Sequence, residues 1–276
     1  MNQPQNLRLS EIYIYPIKSL GGISLQQAEV EDRGLKYDRR WMLVDEAGKF
    51  LTQRQHAQMA LLQVSIKADS LLVTHKQDLQ EPLLIPFDNN QEPGPEVQVT
   101  VWDDTVLAQE VDAAVSAWFT KALGMPARLV KMPEASKRLV DTDYATAGEI
   151  VSFADGFPFL IIGQASLDDL NSKLQDEHIP MNRFRPNFVF TGGKPFEEDN
   201  WGHFSIGALP FYGAKPCARC VVTTIDQTTG EKGQEPLRTL ATYRLKNNKV
   251  MFGQNLLHSS IGTVAVGDEI HVGTWR

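Results

Sequence analysis

The chain has 276 residues with a 42 % apolar share, enough for a substantial core in one large domain or two modest ones, and its 22 % charged share argues against disorder. A net charge of −7 argues against a nonspecific hold on nucleic acid or anionic membrane. Two cysteines are too few for a disulfide-held secreted scaffold, the start lacks a basic-then-apolar signal, and "FPFLII" is too short to cross a bilayer, so a cytoplasmic protein is expected.

Strands are expected first. "EIYIYPI" alternates, and "RRWMLVDEAGKFLTQRQ" gives two strands around a turn at Asp45–Gly48. "ALLQVSIKADSLLVTH" repeats that form around Lys67–Ser70, and "VQVTVWDDTVLAQEV" folds back near Asp103 and Asp104. The segment "IPFDNNQEPGPE" between these pairs is expected as a loop.

The spacing predicts a helix over "VDAAVSAWFTKALG", with Val111, Ala114, Val115, Trp118 and Ala122 on one face and Gly124 as a left-handed end. "SLDDLNSKLQ" is expected to start with Ser166 as N-cap, with Leu167, Leu170 and Leu174 as its apolar stripe. Strands are expected again in "NFVFTG", "HFSIGALPFYGA", "CVVTTID" and "IGTVAVGDEIHVG". Strand groups interrupted by two or three helices, without regular alternation, point to an α+β fold, mainly β.

Both cysteines lie in "KPCARCVVTTID". A closed zinc site needs four ligands, and neither a second cysteine pair nor histidines at ligand spacing are present. A redox pair wants its first thiol at a helix N-terminus, whereas Cys220 runs into a β-branched stretch, and an iron–sulfur cluster also lacks ligands. Two readings stay open. The cysteines are buried packing residues, or one thiolate stands beside Lys215 and Arg219 as a nucleophile or as a ligand to a cofactor's metal.

Several cations stand beside glycine or proline at strand ends: Lys18 in "YPIKSLGG", Arg39 and Arg40 in "GLKYDRRW", Arg183 and Arg185 in "NRFRPN", and Arg219. Arginine's donor fork suits phosphate or carboxylate, Ser19 adds a hydroxyl, and Asn187 offers an amide to a polar heterocycle. The competing reading makes each a surface charge or a partner of acids such as Asp32 and Asp38. No phosphate-loop spacing and no G-x-G-x-x-G after a strand appear, so ATP and nicotinamide dinucleotides have no positive signal.

Taken together, "YPIKSLGG", "RGLKYDRRWMLVD", "RFRPNFVFTGG", "CARC" with "TTID", and "EPLRTLATYRLKNNKVMFGQN" resemble the MOSC family, and within it the YcbX-type and amidoxime-reducing members. The likeness runs over nearly the whole chain. It implies an enzyme carrying molybdenum on molybdopterin, with Cys220 as the protein ligand to the metal and Cys217 in a structural role. It places cofactor contacts at Lys18, Ser19, Arg39, Arg185 and Asn187, and an acidic group near the metal at Asp155. It also places pocket positions at Ala218, Gly156, Phe157 and Asn255, where relatives carry serine, hydroxyl side chains and tyrosine, departures that bear on substrate preference.

The resemblance further implies a MOSC β-barrel core from residues 1–39 and 131–276, with a smaller α/β domain, 40–130, inserted. The implied reaction is reduction of a small N-hydroxylated compound, such as an amidoxime or hydroxylamine, with electrons from a separate redox protein and its reductase. No C-terminal ferredoxin-like domain is expected. The rival functions are a sulfur carrier for cofactor sulfuration, for which no pyridoxal phosphate-dependent desulfurase domain fits in this length, and a non-catalytic cofactor binder.

Overall fold

In the first strand, Arg8–Ile14, Ile12 and Ile14 alternate inward and a bulge between Leu9 and Glu11 brings Leu9 to the same side, so the strand has one face committed to a core. In this computed structural model, which describes residues 6–77, 79–87, 94–145, 147–174 and 178–276, that strand joins the far half of the chain. It pairs antiparallel with Ile23–Leu25 on one side and with Phe188–Thr191 on the other. The sheet continues through Phe159–Gly163, Lys249–His258, Leu209–Ala218, His203–Ile206 and Ile270–Val272.

This sheet curls. Leu9 donates its backbone N–H to Asp268 at 2.9 Å and accepts from Gly267 at 2.7 Å, and Arg8 bridges Glu269, so the first strand also meets the segment leading into the last. Leu9, Ile12, Phe159, Phe188, Phe190, Phe211 and Leu256 fill its concave side. The one parallel strand pair among the described residues, Phe159–Gly163 with Phe188–Thr191, explains the apolar run "FLII": all five residues of Phe159–Gly163 are buried, as a parallel strand covered on both faces requires.

Leu245–Lys246 pairs with Lys249–His258 as a ninth strand of this sheet, and three smaller sheets complete the β structure among the described residues. Trp41–Val44, Arg128–Lys131, Asp104–Glu110 and Glu96–Val101 form one, Leu62–Lys67, Ser70–His75 and Leu83–Pro86 the second, and Gly262–Ala265, Gln27–Glu31 and Gly34–Leu35 the third. The fold is mixed α+β, predominantly β. No described helix is long and apolar enough to cross a membrane.

Several local expectations change. Helix α1 spans Ala113–Leu123, capped by the Asp112 carboxylate and ended by Gly124 at φ 66°, but its buried face is Val115, Ser116, Phe119 and Leu123. Trp118 and Ala122 reach the core edge and Ala114 is exposed, because the stripe centres on Phe119. Helix α2, Gln164–Lys173, starts two residues before Ser166. The Ser166 hydroxyl is buried inside it and donates to Glu198 at 2.9 Å, so it is no N-cap. Ile85 and Pro86 belong to the strand Leu83–Pro86, while residues 88–93 of that expected loop lie outside the described set. The second arm expected after Gly48 is reduced to bridges at Lys49 and Phe50.

"CVVTTID" is not a strand. Val221–Thr224 is a 3₁₀ turn, because the Thr223 and Thr224 hydroxyls donate back to the carbonyls of Cys220 and Val221, at 3.0 and 2.8 Å, and compete with a ladder. A short helix α3, Leu237–Ala241, follows.

Candidate functional site

Turns from both halves of the chain meet around one cavity of about 920 Å³, its open mouth included. Lys18 and Ser19 come from the turn after Arg8–Ile14, and Arg39 from the turn before Trp41–Val44. Asp155, Gly156 and Phe157 come from the loop before Phe159–Gly163, and Arg185 and Asn187 from the turn before Phe188–Thr191. Ala218 and Cys220 follow from the end of Leu209–Ala218, and Asn255 from Lys249–His258. Each residue that the family resemblance assigned to the site lines this space, as do Cys217 and Arg219.

The backbone is held unusually there. Ser19, Arg39, Trp102 and Arg185 all have positive φ, at 69°, 50°, 58° and 55°, and all four line the cavity. Non-glycine residues in that region cost energy and persist where surrounding contacts over-determine them, often at functional sites. For Ser19 the restraint is visible: the buried Gln53 amide donates to the Ser19 carbonyl at 2.7 Å and exchanges hydrogen bonds with Gln227, beyond Cys220.

Lys18 is 6 % exposed, and its ammonium donates to Asp155 Oδ1 and the Phe153 carbonyl, both at 2.7 Å. Burial lowers its pKa, and the Asp155 charge opposes that shift. Asp155 faces the open cavity, its side chain 76 % accessible, while protein encloses the carboxylate at longer range. Enclosure would raise its pKa, but the Lys18 ammonium, the Trp102 indole N–H at 3.1 Å and Arg39 hold it well below the usual carboxylate range. Arg138 fixes the loop from behind, donating to the carbonyls of Ser152 and Asp155 at 3.1 and 2.9 Å while its Nε meets Asp104.

Elsewhere in the lining two guanidinium groups pack over the Tyr15 ring, Arg39 at 4.3 Å and Arg185 at 4.2 Å. Tyr15 is buried, its phenol pushed up to about 12 and donating to the Pro186 carbonyl, so it remains neutral. Arg39 is paired with buried Asp38 and donates to Asn187 Oδ1 at 3.2 Å. Asn187 also accepts from the Leu160 N–H and donates to the Tyr13 carbonyl. Its amide therefore retains a single free N–H, and its main work is to orient Arg39. Arg185 has no hydrogen-bond or carboxylate partner within reach among the described residues; burial lowers its pKa to about 10, leaving it charged at neutral pH.

The other flagged cations are structural. Arg40 is buried against Glu31 and Glu134, outside the cavity. Arg183 pairs with Asp226 at 3.0 Å and donates to the Thr223 carbonyl, pinning the turn that follows Cys220. Lys215 lies over the Tyr144 ring at 4.2 Å. Of the two cations beside the cysteine motif, Arg219 contacts the partly buried Cys217 sulfur at 3.1 Å, while Cys220 is the exposed thiol. Thr52, Arg54 and Trp102 also line the cavity and were not legible as site residues. They carry no glycine or proline neighbours, and a hairpin tip gives no sign of what it will overhang.

The sheet thus carries a cation-lined, thiol-bearing cavity at its turns. The chain belongs to the MOSC family: the MOSC N-terminal beta barrel domain matches residues 6–126 and the MOSC domain residues 148–271. It is 32 % identical to mitochondrial amidoxime-reducing component 1 of Mus musculus, over 96 % of this chain and 82 % of that protein. It is 30 % identical to the molybdenum cofactor sulfurase of Oryza sativa subsp. japonica over 98 % of this chain, which spans only 36 % of that longer protein. Among solved structures, the YUAD protein from Bacillus subtilis aligns over 96 % of this chain and 94 % of its own at 10 % identity, with a TM-score of 0.44, too loose a likeness to inform the site.

Proposed function

We propose that this chain binds molybdenum on molybdopterin and reduces small N-hydroxylated compounds with electrons delivered by a separate redox protein. The observation that carries the reading is the cavity itself: in a chain of net charge −7, Lys18, Arg39, Arg185 and Arg219 converge on a space whose one exposed sulfur is Cys220. Among the described residues no group of three or more His, Cys, Asp or Glu side chains is placed to hold a metal. A metal here needs most of its ligands from a cofactor, and a dithiolene plus the Cys220 thiolate fits that donor set. Arg185, with free donors, together with Lys18, Ser19 and Arg39, suits the phosphate and pterin, and the backbone at Gly156 and Ala218 supplies further contacts. When bound, the group supplies a two-electron store and an oxygen acceptor.

The overall reaction joins two electrons and two protons to an N–OH compound and releases the N–H compound and water. Asp155, held ionised, is a poor proton donor near neutral pH. Its place is as a fixed negative charge that accepts N–H hydrogen bonds from the substrate and stabilises the amidinium formed when an amidoxime is reduced. Phe157, 9 % exposed, forms an apolar wall beside it. With no nicotinamide fingerprint in the sequence, electrons come from outside.

The test is metal and pterin analysis of protein made in a cofactor-synthesising host, followed by benzamidoxime turnover with chemically reduced viologen. One molybdenum and one pterin per chain, with turnover from viologen and none from NADH or NADPH alone, is expected. Cofactor retention without turnover of any N-hydroxy compound would sink the reductase reading, and persulfide mass on Cys220 would then support sulfur transfer.

A further inference from the structure

One wall of the cavity carries groups that cofactor binding, as described above, leaves without a role. Trp102 is the first residue of the two-residue loop joining Glu96–Val101 to Asp104–Glu110, where Val101 pairs with Asp104. Its φ is 58°, and a two-residue hairpin loop with positive φ at the first position favours glycine there. A tryptophan at that position bears a backbone penalty, and what it gains is contact over the cavity: its indole N–H reaches Asp155, and its ring lies 5.5 Å from that of Phe50.

Arg54 completes this wall. Its guanidinium lies 4.0 Å over the Trp102 ring and 5.8 Å from the Phe50 ring. Among the described residues its side chain has neither a carboxylate nor a hydrogen-bond acceptor as partner. A guanidinium held by its faces keeps its edge donors free, and those donors match a carboxylate in fork geometry. Beside it Thr52 is 4 % exposed, and its hydroxyl is buried without any hydrogen-bond partner. A buried hydroxyl without a partner is costly and rare, and Thr52 is a lining residue of the same cavity as the free guanidinium.

We infer that Thr52, Arg54 and Trp102 form a subsite for a carboxylate on the substrate, so that the enzyme prefers N-hydroxylated compounds bearing an acidic group to neutral ones. This rests on the reductase reading for the identity of the reacting end. Asp155 faces the N–OH end, and Trp102, hydrogen-bonded to it, links that end to the Arg54 anchor.

The experiment uses cofactor-loaded protein with viologen as donor and compares benzamidoxime with 4-carboxybenzamidoxime. Wild type is expected to favour the carboxylated compound in kcat/KM. In Arg54→Gln the ratio of the two kcat/KM values should fall about tenfold or more, chiefly through KM, as expected for loss of a charge-assisted contact. Pterin and molybdenum content are measured on the same samples. A loss of pterin in Arg54→Gln would assign the residue to the cofactor's phosphate and overturn the inference. Benzoate titration monitored by tryptophan fluorescence gives a second readout: saturable quenching in wild type, absent in Trp102→Phe and shifted at least tenfold to weaker binding in Arg54→Gln. An unchanged selectivity ratio together with non-saturable quenching also overturns it. If wild type reduces neither compound the reductase reading fails, and the benzoate titration alone then decides whether the anion subsite exists.

Discussion

Arg219 sits 3.1 Å from the Cys217 sulfur and leaves Cys220 open in the cavity, so the two cysteines of one short motif occupy different environments. Cys217 also packs at the edge of the cluster around Phe184 and Phe252. Cys220→Ser should abolish benzamidoxime reduction, because a neutral hydroxyl is a poor substitute for a soft thiolate on a metal. Cys217→Ser should retain most of the turnover and lose about 1 kcal/mol of stability from its packed position, read as a shift in urea midpoint. Equal and complete loss in both would point to a paired role instead. Asp155→Asn is a different case, since it strips the counter-charge from a buried ammonium. With Asp155 76 % accessible and the Phe153 carbonyl still accepting from Lys18, it should destabilise the fold by only about 1 kcal/mol, and a double change with Lys18→Met should recover much of that loss. At this scale, residue type and local context made Lys18, Ser19, Arg39 and Arg185 visible in the sequence, whereas only the family resemblance set Cys220 apart from Cys217. Arg183 and Arg40 had the same context yet serve as struts, because only the fold shows that Asp226, Glu31 and Glu134 reach them first.

Helix α1 shows why some elements were readable and others were not. Its cap, length and stop are all local: Asp112 accepts from the N–H groups of Ala114 and Val115, at 2.6 and 3.1 Å, and Gly124 closes the helix in the left-handed region. Asp112→Ala should therefore cost about 1 kcal/mol through loss of the cap. Gly124→Ala should cost about 1–2 kcal/mol from backbone strain alone, since an added Cβ meets nothing within 4 Å. A neutral result for Gly124→Ala in thermal unfolding would show that the turn can rearrange. Hairpins such as Leu62–Lys67 with Ser70–His75 were equally legible, because their pairing and turn are adjacent in sequence. The turn Val221–Thr224 was not: its β-branched composition favours a strand, and the threonine hydroxyls that overrule it act through geometry. The core face of α1 was misplaced for a related reason, as Trp118 is hydrophobic but its indole N–H must reach the Glu81 carbonyl, 2.8 Å away at the surface.

At the scale of the whole molecule, a buried acid without a cation couples stability to pH. Glu198 is 0 % exposed and lies beside the start of α2, accepting hydrogen bonds from the Gly163 N–H and the Ser166 hydroxyl. Burial pushes its pKa up to about 7, from the ordinary value of 4.5, with the Asp199 charge adding to the rise; Arg244 pairs with Asp199 and not with Glu198. Between those two values the folded chain keeps a proton that the unfolded chain has released. The contribution of this group to stability is then fully present below about pH 4.5 and is lost as pH rises toward 7, on the order of 3 kcal/mol. Glu198→Gln keeps an acceptor for Gly163 and Ser166 and has no charge to bury. The variant should gain stability over wild type at pH 8 and show little or no gain at pH 4.5. His258, whose pKa burial lowers, shifts stability in the opposite sense in both proteins, so the difference between them isolates Glu198. Urea unfolding of the pair at both pH values reads this directly. An identical stability difference at the two pH values would mean that Glu198 stays ionised in the folded protein and that its buried charge is met by a partner or by water.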